Sequence, residues 1–238
     1  MSNSIYANLT RQTGLMSELQ IVANNIANAS TTGFKSQGVV FSEYIAGVDT
    51  EGDSLSMGRL NAKSTSFEQG GHTNTGGTFD LAINGDGFFA IETADGTHLT
   101  RAGAFLPNQA NELVTPEGLR VLDAGLAPIF VPPDAGKIAI SPDGTVSANG
   151  RPLAQVGLFA LEDGAKLSRE GGTRFSSDGD LVPADDASVA QGFLEASNVN
   201  PLSEIARLIE VQRAYEAGQS FLENEDKRVR SILTLIQR

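Results

Sequence analysis

Few side chains in this sequence have the types and spacing that catalysis or metal binding requires. The two histidines, His72 and His98, do not have the spacing of a zinc site, and the 238 residues include no cysteine. The sequence also lacks the motifs of serine hydrolases, zinc proteases, P-loop proteins and dinucleotide-binding proteins. We therefore predict no catalytic residue, no metal site and no cofactor, and we predict that the protein is not an enzyme.

Two acidic segments are further candidates for chemistry. Residues 84–87, with the sequence NGDG, have the composition of a calcium loop but lack the alternating oxygen ligands and final glutamate of an EF-hand. We interpret this segment as a tight turn, because asparagine and glycine adopt the positive φ that such turns need. Asp185 and Asp186 are interpreted as solvated loop residues, since nothing singles them out as a general acid and base.

A cluster of amide and hydroxyl side chains has a more informative spacing. It consists of Asn24, Asn25, Asn28, Thr31 and Thr32. Helix interiors disfavour asparagine, so three asparagines in five residues favour a role in capping and inter-helix hydrogen bonds, although a solvated face is the other interpretation. Phe34 follows, and we predict that it is a buried anchor for the next segment rather than a ligand contact.

These polar residues lie in and just after a predicted helix over residues 3–30. Residues that are mostly apolar recur in this segment at alternating steps of three and four. This spacing places them on one face and indicates a helix with a heptad seam. Gly33 is a plausible stop, because glycine accepts the left-handed conformation that ends helices. The seam consists of Ile5, Leu9, Gln12, Met16, Leu19, Ala23 and Ile26.

A second and longer helix is predicted over residues 198–238. Asn200 can cap its first turn, and Pro201 fits the first helical position. At a rise of about 1.5 Å per residue the helix would be roughly 50 Å long, which is too long for a small globular core. Its three polar seam positions are interpreted as setting the register of packing. The seam consists of Ile205, Leu208, Gln212, Tyr215, Gln219, Leu222, Asp226, Val229, Leu233 and Ile236.

Two interpretations of these seams remain open. The helices form a hairpin within one chain, or they pack with helices of neighbouring chains in a coiled-coil-like bundle. Two helices packed only against each other bury one stripe of residues on each helix. We therefore expect helices of several subunits to share a bundle, in a filament with non-closing contacts. The apolar residues off the seam, which need these other neighbours, are Leu15, Val22, Leu202, Ile209, Val211, Phe221 and Ile232.

The middle of the chain is predicted to be all β. The sequence FDLAI at 79–83 and the sequence FFAI at 88–91, on either side of the NGDG turn, predict a β-hairpin. Further short runs between glycine and proline turns predict a domain of short strands. The expected fold class is α+β. The expected segments are an N-terminal helix at 1–34, a connector at 35–77 with short strands near residues 57–67, a β domain at 78–192 and a C-terminal helix at 193–238.

The net charge of −12 is concentrated in the middle of the chain. Residues 1–38 carry +1 and residues 202–238 carry zero, so residues 39–201 carry −13. Near-neutral helices favour self-association, and an acidic middle favours a solvated surface or a basic partner. No basic stripe is present for nucleic acid, no apolar run is long enough to insert in a membrane, and no cleavable export signal is visible.

Four segments resemble the motifs of the flagellar basal-body rod and hook protein family. Residues 23–35, ANNIANASTTGFK, resemble its N-terminal signature. The other three keep the family's order: DLAINGDGFF at 80–89, TRAGAF at 100–105, and SNVNP at 197–201 with EVQRAYE at 210–216. The sequence departs from the family pattern at Ala29, Ser30 and Ser36. Its ending, ENEDKRVRSIL at 223–233, is more similar to the proximal-rod members than to the distal-rod subunit.

The resemblance implies a structural subunit of the proximal rod, located in the periplasmic part of the flagellar basal body. It implies export through the flagellar type III apparatus without cleavage, and assembly with other rod proteins and copies of itself into a rod that transmits torque. The alternative is an exported β-domain binding module, an adhesin or peptidoglycan binder, that its helices oligomerise; a cell-wall enzyme is more distant.

The expected assembly interface combines residues of both helices with the amide cluster. It consists of Ile5, Leu9, Met16, Leu19, Asn24, Asn25, Ile26, Asn28, Phe34, Ile205, Leu208, Gln212, Tyr215, Leu222, Val229, Leu233 and Ile236.

Overall fold

The structure is a computed structural model, and it describes residues 2–47, 54–162 and 164–236. Side chains are described in these ranges except at residues 2–7, 41–47, 54–61, 233, 235 and 236. The chain divides into two compact units. The helical unit consists of Met1–Ala29, Ser36–Phe67 and Val199–Arg238, and the β unit consists of Ser30–Lys35 and Glu68–Asn198.

Two long antiparallel helices form the centre of the helical unit. Helix α1 spans Ser2–Ala27, and helix α2 spans Pro201–Ile236. The prediction that Asn200 caps α2 is confirmed, since its Oδ1 accepts hydrogen bonds from the backbone N–H groups of Leu202 and Ser203 at 3.1 and 3.2 Å. These bonds satisfy two of the donors that the first turn of a helix leaves unpaired.

Helix α1 is shorter than the sequence pattern predicts, since it ends at Ala27 rather than at residue 30. Helix α2 begins at Pro201, the first helical position that the sequence predicts, whereas the expected C-terminal segment at 193–238 starts with a strand at Phe193–Glu195. Gly33 does not end the first helix. It has a φ of +67°, and a Cβ at this position would lie 2.3 Å from the backbone nitrogen of Ala102, so glycine is needed here for a close approach inside the β unit.

The segment predicted as a connector contains a long β-ribbon. Strands β1 (Gln37–Gly47) and β2 (Ser54–Thr65) pair antiparallel, with a bulge between Val40 and Phe41. Both strands contact α1. The sequence pattern predicted only short strands here, because glycines and polar residues interrupt the alternation of apolar residues that marks a half-buried strand.

The β unit consists of short antiparallel strands, as the sequence predicts. In the described residues, the largest sheet contains β5 to β9 and β13 to β16; β10, β11 and β12 form a second sheet, β4 pairs with β17, and β3 pairs with β18. The strands are β3 (His72–Asn74), β4 (Leu81–Asn84), β5 (Phe88–Thr93), β6 (Gly96–Thr100), β7 (Leu106–Pro107), β8 (Leu113–Val114), β9 (Arg120–Val121), β10 (Ile138–Ile140), β11 (Thr145–Ala148), β12 (Arg151–Gln155), β13 (Leu158–Leu161), β14 (Leu167–Gly171), β15 (Arg174–Ser177), β16 (Leu181–Pro183), β17 (Ser188–Gln191) and β18 (Phe193–Glu195).

The predicted hairpin over residues 79–91 is wrong. Strand β4 pairs with β17, whereas β5 pairs with β6, β9 and β13. The turn between β4 and β5 is present, and Gly85 has a φ of +90°. Side chains from elsewhere bind its backbone, however: Arg101 Nη2 donates to Gly85 O at 2.8 Å, and Gly85 N–H donates to Gln69 Oε1 at 3.4 Å. The two strands therefore separate into different sheets.

The core of the β unit lies on both faces of β5. Phe89 belongs to one hydrophobic cluster and packs edge-on against Phe105, with ring centroids 5.1 Å apart. Phe88 belongs to a second cluster and packs against Phe175 at 6.1 Å. Because successive residues of a strand point to opposite faces, this pair of aromatic residues fixes one strand between the two clusters.

Candidate functional site

The two helices contact each other through polar side chains as well as apolar ones. Asn8 Nδ2 donates to Gly218 O at 3.0 Å, and Gln12 Nε2 donates to Tyr215 O at 2.9 Å. The absence of a side chain at Gly218 makes this approach possible, since a Cβ there would lie 2.1 Å from Gln12 Nε2. Side-chain amides thus hold the backbone of α2 against α1.

An ion pair joins the helices nearer the end of α1. Glu18 is buried, and its Oε1 accepts a hydrogen bond from Arg207 Nε at 2.7 Å. Arg207 Nη1 also donates to Glu210 Oε2 at 3.0 Å. The hydrogen bond to Glu18 raises the pKa of Arg207 above its usual value, so the charge of Arg207 is secure at any physiological pH.

The seam residues predicted on α2 divide into two groups. Leu208, Tyr215 and Leu222 are half-buried, whereas Ile205 and Gln212 are exposed, as are Gln219, Asp226 and Val229. The side chain that is most buried on α2 is Val211, at 2%, which lies off the predicted seam. The face of α2 that contacts α1 therefore differs from the predicted seam. It includes Leu208, Tyr215 and Leu222, but at the position between Leu208 and Tyr215 it contains Val211 instead of Gln212. Coiled-coil packing stays a prediction.

The same division holds on α1. Leu19 and Ile26 are half-buried, and the buried positions include Gln12, Glu18 and Val22. Leu9 and Met16 are 53% and 48% exposed. The side chains of three predicted interface residues, Ile5, Leu233 and Ile236, lie outside the described part of the structure.

Helix α2 presents a further set of apolar side chains to solvent. Leu202 is 78% exposed, and five other large apolar residues of α2 are also exposed. They are Ile205, Ile209, Phe221, Val229 and Ile232. These exposed apolar residues of α2 form a candidate interaction surface, because monomers rarely expose large apolar patches.

The amide cluster binds the β-ribbon. Asn25 is 1% exposed; its Nδ2 donates to Gln37 O at 2.8 Å, and its Oδ1 accepts from Gln37 N–H at 2.9 Å. Asn25 thus pairs with both backbone groups of Gln37, as a strand would. Asn28 Nδ2 donates to Asn24 O at 2.9 Å. The interpretation that these asparagines make packing contacts therefore applies to Asn25, which is buried. The interpretation as a solvated face applies to Asn24, which is exposed.

Phe34 is buried, as predicted, and it lies beside a group of charged residues in the β unit. Phe34 is 1% exposed, and the Arg169 guanidinium stacks between the rings of Phe34 and Phe175, 4.7 Å from each centroid. Arg169 Nη2 also donates to Lys35 O. Burial lowers the pKa of Arg169 to about 10.

We call the adjacent polar group the junction cluster; it consists of Lys35, Glu68, Arg101, Glu195 and Asn198. At its centre, Glu195 is fully buried, with Lys35 Nζ 2.6 Å from its Oε1 and Arg101 Nη1 3.3 Å from its Oε2. Lys35 Nζ also donates to the backbone oxygen of Glu68 at 2.7 Å. Burial lowers the pKa of Lys35, and the ion pair with Glu195 opposes that effect.

The junction cluster was not predicted from the sequence, although four of its members lie in or beside the motifs. Lys35 ends the first signature and Arg101 lies in TRAGAF. Asn198 lies in SNVNP, and Glu195 stands two positions before the first residue of that motif. A glutamate directly after the apolar pair Phe193–Leu194 in a strand was the available signal, because charged residues at such positions need partners. The sequence alone does not reveal which residues those partners are.

Two further observations bear on other classes of function. Among the described residues, no group of three or more histidine, cysteine, aspartate or glutamate side chains is placed to hold a metal ion. Over the same ranges, no helix has the length and apolar character needed to cross a membrane.

Comparison with known proteins gives a consistent result along the chain. Residues 5–35 match the model of the flagella basal body rod protein family, residues 82–148 match that of the flagellar hook protein FlgE/F/G D1 domain, and residues 190–235 match that of the flagellar basal body rod FlgEFG protein C-terminal region. The chain is 39% identical to the flagellar basal-body rod protein FlgF of Caulobacter vibrioides over 236 residues, which cover 97% of this chain and 96% of the relative. It is 40% identical to FlgF of Mesorhizobium japonicum (91% and 90% covered) and 33% identical to the rod protein FlgG of Bacillus subtilis (99% of each covered).

Proposed function

The chain belongs to the flagellar basal-body rod protein family, and from this premise we propose that its terminal helices bind neighbouring subunits of the rod. The protein is a structural subunit of the basal-body rod, and it is most like the FlgF members. Its location is the flagellar basal body, where rod and hook components are its partners. The comparisons give no support to a glycan-binding module or an adhesin.

The observation that carries the proposal is the exposed apolar surface of both helices. Leu9 and Met16 on α1, and Leu202, Ile205 and Ile209 on α2, remain exposed although the two helices pack against each other. Burying such a side chain fully contributes about 1.5–3 kcal/mol. Several of these residues at one interface suffice to offset the entropy that association costs.

The proposed mechanism of torque transmission follows from this surface. Sliding one helix past a neighbour would expose apolar side chains again, so a bundle of such helices resists twisting. Contacts between different surfaces of successive subunits generate a helical filament when their rotation does not close into a ring, and this is the arrangement proposed for the rod. Of the predicted interface residues, we propose that Leu9, Met16, Ile205 and Val229 meet other subunits, whereas Asn25 and Phe34 support the fold of their own chain.

The remaining parts of the proposal concern partners and delivery. We propose that copies of this chain also contact each other, that the subunit reaches the rod through the flagellar export apparatus without cleavage of a signal peptide, and that it has no enzymatic activity. We further propose that helices α1 and α2 act as one assembly module and that the β domain expected at 78–192 does not take part in it.

The test is a pair of charge substitutions on exposed positions. Leu9→Asp and Ile205→Asp should leave the monomer folded, because both side chains already contact water, but should abolish rod assembly and motility. The matched control is Leu153→Asp, an apolar residue of the β unit that is 38% exposed. Basal bodies isolated from the three strains should lack the rod only in the first two. Normal rods in strains with either helix substitution would contradict the proposal.

A further inference from the structure

The chain crosses four times between its two units. The chain passes from one unit to the other after residues 29, 35, 67 and 198. Residues 30–35 therefore form a short excursion that belongs to the β unit, while the helix before it and the ribbon after it belong to the helical unit.

Three of these passages are tied together inside the β unit. Lys35 Nζ donates to Glu68 O at 2.7 Å, and Asn198 Nδ2 donates to the same oxygen at 3.0 Å. The backbone N–H of Asn198 donates to Phe34 O at 3.3 Å, and that of Gly33 donates to Glu195 O at 2.8 Å. The residues at which the chain leaves the β unit thus share one hydrogen-bonded network.

Glu195 is the centre of this network. It is fully buried, and its carboxylate binds both Lys35 and Arg101 and accepts the backbone N–H of Gly70 at 3.0 Å. A buried ion pair is a weak source of stability compared with apolar residues of the same volume, whereas removal of one partner is strongly destabilising. The ion pairs of Glu195 instead favour one arrangement of the surrounding chain segments, because charge-assisted hydrogen bonds are strong only when each donor and acceptor is in the correct position.

We propose that the junction cluster is a clamp that fixes the exits of the β unit to one another, with Glu195 as its positioning residue. The clamp keeps residues 30–35 docked in the β unit under load, because they cannot be drawn out without breaking buried ionic contacts. This inference rests on the proposed function only for the origin of the load. The docking of residues 30–35 against Glu195 is a property of the isolated chain.

The decisive variant is Lys35→Met, which removes the ammonium group but leaves Arg101 paired with Glu195. Hydrogen exchange on the isolated chain should show at least about tenfold faster exchange at the amides of Gly33, Gly70 and Asn198, with no change in β5. Glu195→Gln, which keeps the side-chain shape and removes the charge, should release the same amides. The control is Glu92→Gln, which breaks an exposed ion pair with Arg120 and should change none of them.

Two results would overturn the clamp in this experiment. A uniform increase in exchange that includes β5 would mean that the ion pairs only stabilise the β unit as a whole. Unchanged exchange at Gly33, Gly70 and Asn198 would mean that the exits are held by other contacts.

The mechanical consequence is tested in cells. A strain with Lys35→Met should build rods and swim in dilute medium, but should lose a larger fraction of its speed than the wild type when the viscosity is raised. Equal loss of speed in the two strains, with local release seen by exchange, would contradict the mechanical role. Failure of the proposed function would give a different result. Normal rods in the Leu9→Asp strain would contradict the assembly surface, but they would not change the hydrogen exchange expected for Lys35→Met in the isolated chain.

Discussion

Glu18 Oε1 lies 2.7 Å from Arg207 Nε, and this ion pair joins the two terminal helices across 189 residues of sequence. The Glu18 side chain is 5% exposed, whereas that of Arg207 is 50% exposed. We expect Arg207→Ala to lower the free energy of unfolding of the helical unit by about 1–2 kcal/mol, because it leaves a buried carboxylate without its cation. Thermal unfolding, followed by the helical circular dichroism signal, measures this effect.

The control for that prediction is Arg230→Ala. Arg230 pairs with Asp226 on α2, but both side chains are well exposed, so the expected change is within about 0.5 kcal/mol. Equal effects of the two substitutions would show that the Glu18 pair is as weak as an ordinary surface pair.

Gly218 and Gln12 should be energetically coupled. Gly218→Ala gains about 1 kcal/mol of helix propensity, but its Cβ would displace Gln12 Nε2 from its hydrogen bond to Tyr215 O, which costs a similar amount. We expect a nearly neutral effect in the native sequence and stabilisation by about 1 kcal/mol when Gln12 is already alanine. A double-mutant cycle measures the coupling, and a cycle that closes additively would refute the contact.

Asn25 should be the asparagine of the cluster whose loss is most damaging. Asn25→Ala leaves both backbone groups of Gln37 without their side-chain partner, so we expect a loss of about 2–3 kcal/mol in the stability of the helical unit. Asn24→Ala, at an exposed position, is the matched control and should cost less than about 0.5 kcal/mol. Similar losses in both variants, measured by chemical denaturation, would remove the special role of Asn25.

Lys35 should make the stability of the β unit depend on pH in the alkaline range. Burial lowers the pKa of Lys35 below 10.5, while Glu195 and Asp86 raise it and Arg101 lowers it. Between the lowered folded pKa and the unfolded value the unfolded chain binds more protons, so this contribution to the free energy of unfolding increases with pH. As the pH rises toward 10.5, the stability of the wild type should therefore rise relative to Lys35→Met. A difference that falls with pH would have the wrong sign.

The sequence predicted those parts of the fold that local chemistry determines. The cap at Asn200, the existence of both helices and the short strands of the β unit follow from residues that are near neighbours in the chain. Phe34 was predicted to be buried for the same reason. The position of the inner helix face was only partly predicted, because polar contacts such as that of Gln12 with Tyr215 turn the helices away from their apolar seam.

Long-range pairing explains what the sequence did not reveal. The NGDG turn predicted a hairpin, but side chains of Arg101 and Gln69 bind the backbone of this turn. Strand β4 pairs instead with β17, which lies about a hundred residues later in the sequence. The junction cluster brings Lys35 to Glu195 over 160 residues. A single sequence carries no sign of which distant charges meet.

If the terminal helices bind neighbouring subunits, the exposed apolar face of α2 is covered in the rod. Leu202 is the most direct probe, because it is 78% exposed in the single chain and the native sequence has no cysteine to interfere. Leu202→Cys should react with a maleimide in the isolated chain and in denatured basal bodies, but should be protected in intact basal bodies. Equal labelling of intact and denatured basal bodies would contradict the proposed interface.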